Sequence, residues 1–82
     1  MKLASKIYQV RLNDRELDIL ELLRDGEEHE INSWYGIENM FSKFDMLGIL
    51  LAQDDGKKYM LVRDNKQVDR EHRGMKVRKE YP

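Results

Sequence analysis

The stretch Ile37-Glu38-Asn39-Met40-Phe41-Ser42-Lys43-Phe44-Asp45-Met46-Leu47-Gly48-Ile49-Leu50-Leu51-Ala52-Gln53-Asp54-Asp55-Gly56-Lys57-Lys58-Tyr59-Met60-Leu61-Val62 decides how this chain folds. Its first half places apolar residues three and four apart, at Ile37, Met40, Phe41, Phe44 and Leu47. That spacing stacks them on one side of a helix. Gly48 follows where a helix takes a left-handed stop. Two short apolar runs come next, Ile49 to Ala52 and Tyr59 to Val62, joined through Asp54-Asp55-Gly56. An Asp-Gly pair between such runs predicts a hairpin, because both central residues of a type I′ turn need positive φ. With Asp55-Gly56 as a two-residue loop, Ala52 faces Tyr59 and Leu50 faces Leu61. On the other side Leu51 meets Met60 and Ile49 meets Val62. Both faces of this ribbon are apolar, so both need cover. Helices supply one cover. The segment Ile7 to Leu12, the C-terminal tail or a second molecule supplies the other.

Upstream lies a well-marked helix start. Asn13 suits an N-cap, and Glu16 sits three residues later, where a capping box needs its acceptor. Leu12 and Leu17 occupy the positions of a hydrophobic staple. Leu17, Ile19, Leu20, Leu22 and Leu23 form a broad buried stripe. Arg24 lies in the last turn and Gly26 ends the helix. Glu16, Asp18, Glu21 and Asp25 make the polar face. They read as solvated carboxylates, since nothing in the pattern signals burial that would raise a pKa. Ile7 to Leu12 reads as a short strand with Val10 and Leu12 turned inward, and residues 1–6 as loose. Glu27 to Ser33 reads as a linker or short strand, and Asn32 or Ser33 as the cap of the second helix. Trp34 is expected at the core edge. His29 and His72, each among charged neighbours, read as surface residues rather than metal ligands.

With 82 residues there is room for one small domain, whose thin core must recruit most of its large apolar side chains. Hydrophobic content of 40 % is too high for a disordered chain, while 38 % charged residues exceeds the average for a globular domain. Cysteine is absent, which excludes disulfides and thiolate metal sites. No apolar run reaches membrane-spanning length, and Met1 to Lys6 lacks the apolar core of a signal peptide. A cytoplasmic location is the expectation.

Charge is unevenly spread. Residues 14–30 hold eight acidic side chains against Arg15 and Arg24. Residues 57–82 hold nine basic side chains against Asp64, Asp69, Glu71 and Glu80. Such asymmetry marks either an end that faces a polyanion or two surfaces that meet on folding. After Arg63 apolar residues become sparse, which predicts an extended or partly helical, largely solvated tail.

Three segments in this order resemble the winged helix-turn-helix family. Arg15-Glu16-Leu17-Asp18-Ile19-Leu20-Glu21-Leu22-Leu23 is similar to its first helix. Phe44-Asp45-Met46-Leu47-Gly48-Ile49-Leu50 is similar to the end of its recognition helix, and Asp54 to Val62 to its wing. The resemblance spans about residues 12–63 and is one of pattern. It implies an α+β fold: a winged-helix-like domain over residues 1–63, then a charged, partly disordered tail over 64–82. It also implies double-stranded DNA as partner. Asn39, Ser42, Lys43 and Met46 would face bases, and Lys57 and Lys58 would meet phosphates from the wing. Arg63, Arg70, Arg73, Lys76, Arg78 and Lys79 would add backbone contacts. A homodimer is expected, since one such module offers a small interface.

Two features depart from that family. The segment from Gly26 to Ile37 is too short for a full middle helix plus turn, so either that helix is one irregular turn at Asn32 to Gly36 or the unit is not a standard helix-turn-helix. Helix 37–47 also carries Glu38 and Asp45 against Lys43 alone. The competing expectation is a protein-interaction module that uses the acidic helix 14–24 or the spare apolar hairpin face. An enzyme is not expected, because the sequence shows no nucleophile with an evident base, no phosphate-binding glycine loop and no cofactor motif. Small size, absent cysteine and dense charge suit a viral or plasmid-encoded regulator.

Overall fold

The computed structural model describes residues 4–81. The expectation of a loose start covers residues 1–6. Of these, 1–3 lie outside the described residues, while Ala4 to Lys6 belong to a strand. The elements run β1 (Ala4–Arg11), α1 (Asp14–Leu23), β2 (His29–Glu30), α2 (Ile37–Met46), β3 (Leu50–Asp54), β4 (Lys58–Arg63) and β5 (Gly74–Tyr81). This is an α+β chain with two small antiparallel sheets, ordered β1-β5 and β2-β4-β3.

The local signals of α1 are realised in full. Asn13 accepts from the Glu16 backbone N–H at 2.9 Å, and Glu16 Oε1 accepts from the Asn13 backbone N–H at 2.8 Å. Leu17, Leu20 and Leu23 are buried, and Ile19 packs at the edge of the core. Leu22, expected inside, is 46 % exposed, because it sits on the flank of a stripe that is narrower than the leucine run.

At the end of α2, the Ile49 N–H donates to Phe44 C=O at 2.8 Å and the Gly48 N–H to Asp45 C=O at 3.0 Å. That pair of bonds is a Schellman stop, and it needs the φ of +77° that Gly48 supplies without a Cβ penalty. Met40, Phe44, Leu47 and Ile49 are thereby driven into one core with Val10, Leu12, Leu17, Leu20 and Val68.

The hairpin forms, but one residue out of the expected register. Asp55 and Gly56 both have positive φ, as the turn demands, yet Asp54 pairs with Lys58, so Lys57 joins the loop. Gln53 then faces Tyr59, Ala52 faces Met60 and Leu51 faces Leu61. A slip of one residue turns one strand over relative to the other. Leu51, Leu61 and Tyr59 share the inner face, with the Phe41 and Tyr59 rings 5.2 Å apart. Leu50, Met60 and Val62 are left 49 %, 38 % and 57 % exposed on the outer side.

No middle helix lies between α1 and α2. A two-residue strand, β2, pairs with β4 in its place, and the Ile31 N–H extends the contact to Lys57 C=O at 2.9 Å.

The largest departure from the sequence reading is in residues 64–81. Val68 is fully buried in the main core. Arg24 donates to both carboxylate oxygens of Asp64 and to the carbonyls of Asn65 and Val68, the last at 2.6 Å. Asn65 Nδ2 donates to Leu47 C=O at 2.8 Å, which satisfies an orphan carbonyl at the end of α2. Gly74 to Tyr81 then pairs with β1 from Arg11↔Gly74 to Ala4↔Tyr81. Where a solvated tail was expected, a pinned loop and a strand are found. One buried valine and one arginine clamp outweigh the low mean hydropathy of the segment. Pro82 lies outside the described residues.

Candidate nucleic-acid interface

The open side of α2 is what remains after Met40 and Phe44 enter the core and Ile37 and Phe41 turn toward the hairpin. It presents Glu38, Asn39, Ser42 and Asp45, all exposed. Asn39 and Ser42 are therefore presented as the sequence suggested. Lys43 is not: its Nζ donates to Glu16 Oε1 at 2.9 Å, and the Glu16 side chain is 3 % exposed. Its charge neutralises the buried capping carboxylate, because a buried anion must be paired. The solvated reading of Glu16 thus fails, and so does the base-facing reading of Lys43. Met46 is half-buried and packs against the core, so it too is withdrawn from solvent.

The hairpin tip stands beside the first turns of α2. Gly56 and Lys57 line one wall of an open groove, and Ile37, Glu38 and Phe41 line the other. Lys57 and Lys58 are exposed, with Lys58 across the ladder from Asp54. Arg63 is also exposed, but it lies at the far end of β4. Five residue steps of strand separate it from Lys58, about 17 Å.

The arginines of the 64–73 loop are engaged within the chain. Arg70 Nη2 donates to Asp18 Oδ1 at 2.6 Å and to Glu21 Oε2 at 2.9 Å. Arg73 Nη1 donates to Asp14 Oδ1. The Arg73 hydrogen bond holds the Asp14 carboxyl below the usual carboxylate range, and that of Arg70 does the same for Glu21. Part of the charge asymmetry between residues 14–30 and 57–82 thus cancels by contact, through Arg70 and Arg73 on Asp14, Asp18 and Glu21. On the acidic face of α1, a candidate partner surface, Asp14, Asp18 and Glu21 are paired with these two arginines but stay exposed. His29 sits 2.7 Å from Asp25, and His72 lies 3.3 Å from Asp69.

Two features escaped the sequence reading. Tyr35 is fully exposed in the turn leading into α2, beside Trp34, over whose ring the Arg15 guanidinium stacks at 4.2 Å. Only an aromatic pair just ahead of the helix start hints at it. The other feature is the β1–β5 ribbon, whose pairing joins the two ends of the described chain and leaves no local signal.

Comparison of the chain with protein-family models, with curated proteins and with solved structures finds no match. No helix of the described residues is long and apolar enough to cross a membrane.

Proposed function

We propose that this chain is a small winged-helix-like regulator, acting in the cytoplasm, that binds double-stranded DNA through the open face of α2 and the tip of the β3–β4 hairpin. The observation that carries this reading is the hairpin tip beside the start of α2, where Gly56 and Lys57 line one groove with Ile37 and Glu38. Exposed Asn39 and Ser42 lie on a helix whose first turns face a lysine-bearing tip. An asparagine on an exposed helix face can read adenine through two hydrogen bonds, and paired lysines on a hairpin tip suit phosphates. The order β2-β4-β3 supports the reading, since a strand between the helices fixes the hairpin to the helical core.

The division of labour follows from charge. Glu38 and Asp45 repel phosphates, so α2 contributes selection and little raw affinity. Affinity falls to Lys57 and Lys58 on the tip. The test is duplex binding against salt concentration. Affinity is expected to fall steeply as salt rises. Lys57→Ala together with Lys58→Ala should lower the log–log slope by about 1.8, or about 0.9 per phosphate contact. Failure of micromolar protein to retard any duplex at low salt rejects the reading.

A second reading rests on a different surface. The outer face of the hairpin exposes Leu50, Met60 and Val62, and β3 is a free sheet edge. Such a face and edge suit a second copy of this chain, which would pair along β3. Sedimentation velocity of the parent against Met60→Lys tests it. A concentration-dependent dimer abolished by the substitution supports self-association, and a monomer at every concentration rejects it.

A further inference from the structure

Two strands from opposite ends of the sequence make a ribbon with two unlike faces. Tyr8, Val10, Met75 and Val77 point into the core. The residues between them point out: Gln9 beside Lys76, Ile7 beside Arg78, and Arg11 at the Gly74 end. Gln9, Arg11, Lys76 and Arg78 are all exposed, and Ile7 is 59 % exposed. The outer face carries Arg11, Lys76 and Arg78 against Glu80, while Lys6 and Lys79 alternate onto the other side of the ribbon. Arg70 and Arg73, a few residues before β5, spend their charge on Asp18, Glu21 and Asp14. By contrast, no ion pair engages Arg11, Lys76 or Arg78 among the described residues.

We infer that the outer face of the β1–β5 ribbon is a second DNA-contacting surface, which enters the major groove of a duplex. The inference goes beyond the α2 reading and does not depend on it. Charge complementarity selects a polyanion: the outer face holds three basic side chains, unpaired among the described residues, against Glu80, while the chain as a whole carries a net charge of −1. Shape and chemistry select a groove over a flat anionic surface. A two-stranded ribbon fits the width of the major groove. Its side chains are of the kinds that read base edges, with Gln for adenine, Arg for guanine and an apolar Ile for the thymine methyl. The ribbon meets α2 with the strand face that bears Val10, so its outer face looks away from α2. The two surfaces therefore approach DNA from different sides of the molecule.

The experiment is amide NMR mapping of the ¹⁵N-labelled full chain titrated with a 16-base-pair mixed-sequence duplex. It is paired with dimethyl sulfate protection of guanine N7, which lies in the major groove. Shifts are expected at residues 7–11 and 74–79, together with N7 protection. Arg11→Gln, Lys76→Gln and Arg78→Gln combined should lower the log–log salt slope by about 2.7. The same triple variant should lose the share of N7 protection that accompanies the shifts at residues 7–11 and 74–79, while leaving the far-UV spectrum unchanged. Should the triple variant unfold, Lys76→Gln alone is expected to lower the slope by about 0.9. Shifts confined to residues 37–45 and 55–58 overturn the ribbon inference and leave the α2 reading standing. Shifts confined to the ribbon uphold it and remove the α2 reading. Ribbon shifts reproduced by poly-glutamate, with no N7 protection, reduce the face to a general anion patch and overturn the groove assignment. No shift at all overturns both.

Discussion

Val68→Ala tests whether the chain after Arg63 is part of the folded unit. Val68 is fully buried among Leu12, Leu17, Leu20 and Phe44 in the main core. The substitution removes two carbons, worth about 1.6 kcal/mol of transfer free energy. A cavity of roughly 40 Å³ that relaxes only in part adds about 1 kcal/mol. The expected loss is about 2.5 kcal/mol, from a total of roughly 4–12 kcal/mol for a domain of this size. The melting temperature should fall by about 10–20 °C. Urea titration followed by far-UV circular dichroism measures the loss as a lower midpoint at unchanged slope. Lys66→Ala, two residues away and exposed, should leave the midpoint where it was. A loss below about 0.5 kcal/mol for Val68→Ala refutes the packing of this loop into the core, and with it the anchoring of β5.

Gly74→Ala should open the ribbon. A Cβ there would meet the Val10 carbonyl oxygen at 1.8 Å, which is backbone and cannot turn aside. Faster amide exchange of residues 5–10, with α1 unaffected, is the expected readout. Stability should also decline in acid. The folded pKa values of Asp14 and Glu21 are depressed by Arg73 and Arg70, so their contribution is complete above the ordinary carboxylate range. It is lost as pH falls through the depressed values, below about pH 4. Thermal melts of Arg70→Gln with Arg73→Gln should show a shallower loss over that window than the parent, and an identical loss contradicts the pairing. Glu38→Gln with Asp45→Asn should raise duplex affinity about 2–5-fold at low salt by removing repulsion, read by fluorescence anisotropy.

Several short-range sequence signals were legible, although the expected cap at Asn32 or Ser33 was not: α2 starts after Gly36 with no side-chain cap. The Asn13–Glu16 capping box, the Gly48 stop and the positive-φ Asp55-Gly56 turn each depend on residues within about four positions of one another. What the sequence hid depends on distant partners. The ladder register slipped by one, with Lys57 in the loop and its carbonyl accepting from the Ile31 N–H of a segment far off in sequence. Lys43 looked like a groove reader until α2 packed against α1 and brought it to Glu16. Arg70 and Arg73 looked free until the loop folded over α1. Composition marked residues 64–82 as solvated, but a single buried Val68 and the Arg24 clamp on Asp64 decide otherwise. Asn39 and Ser42 were legible because an exposed helix face is fixed by helical period alone.

The central claim is that the open face of α2 reads bases, and selection from a random duplex library tests it most directly. The parent chain is expected to enrich one motif, and Asn39→Ala to lose about 10–100-fold affinity for it through a single adenine position. Binding of that variant to unselected DNA should be unchanged. If no motif is enriched, or if Asn39→Ala weakens selected and unselected DNA alike, α2 does not read sequence and the claim is contradicted.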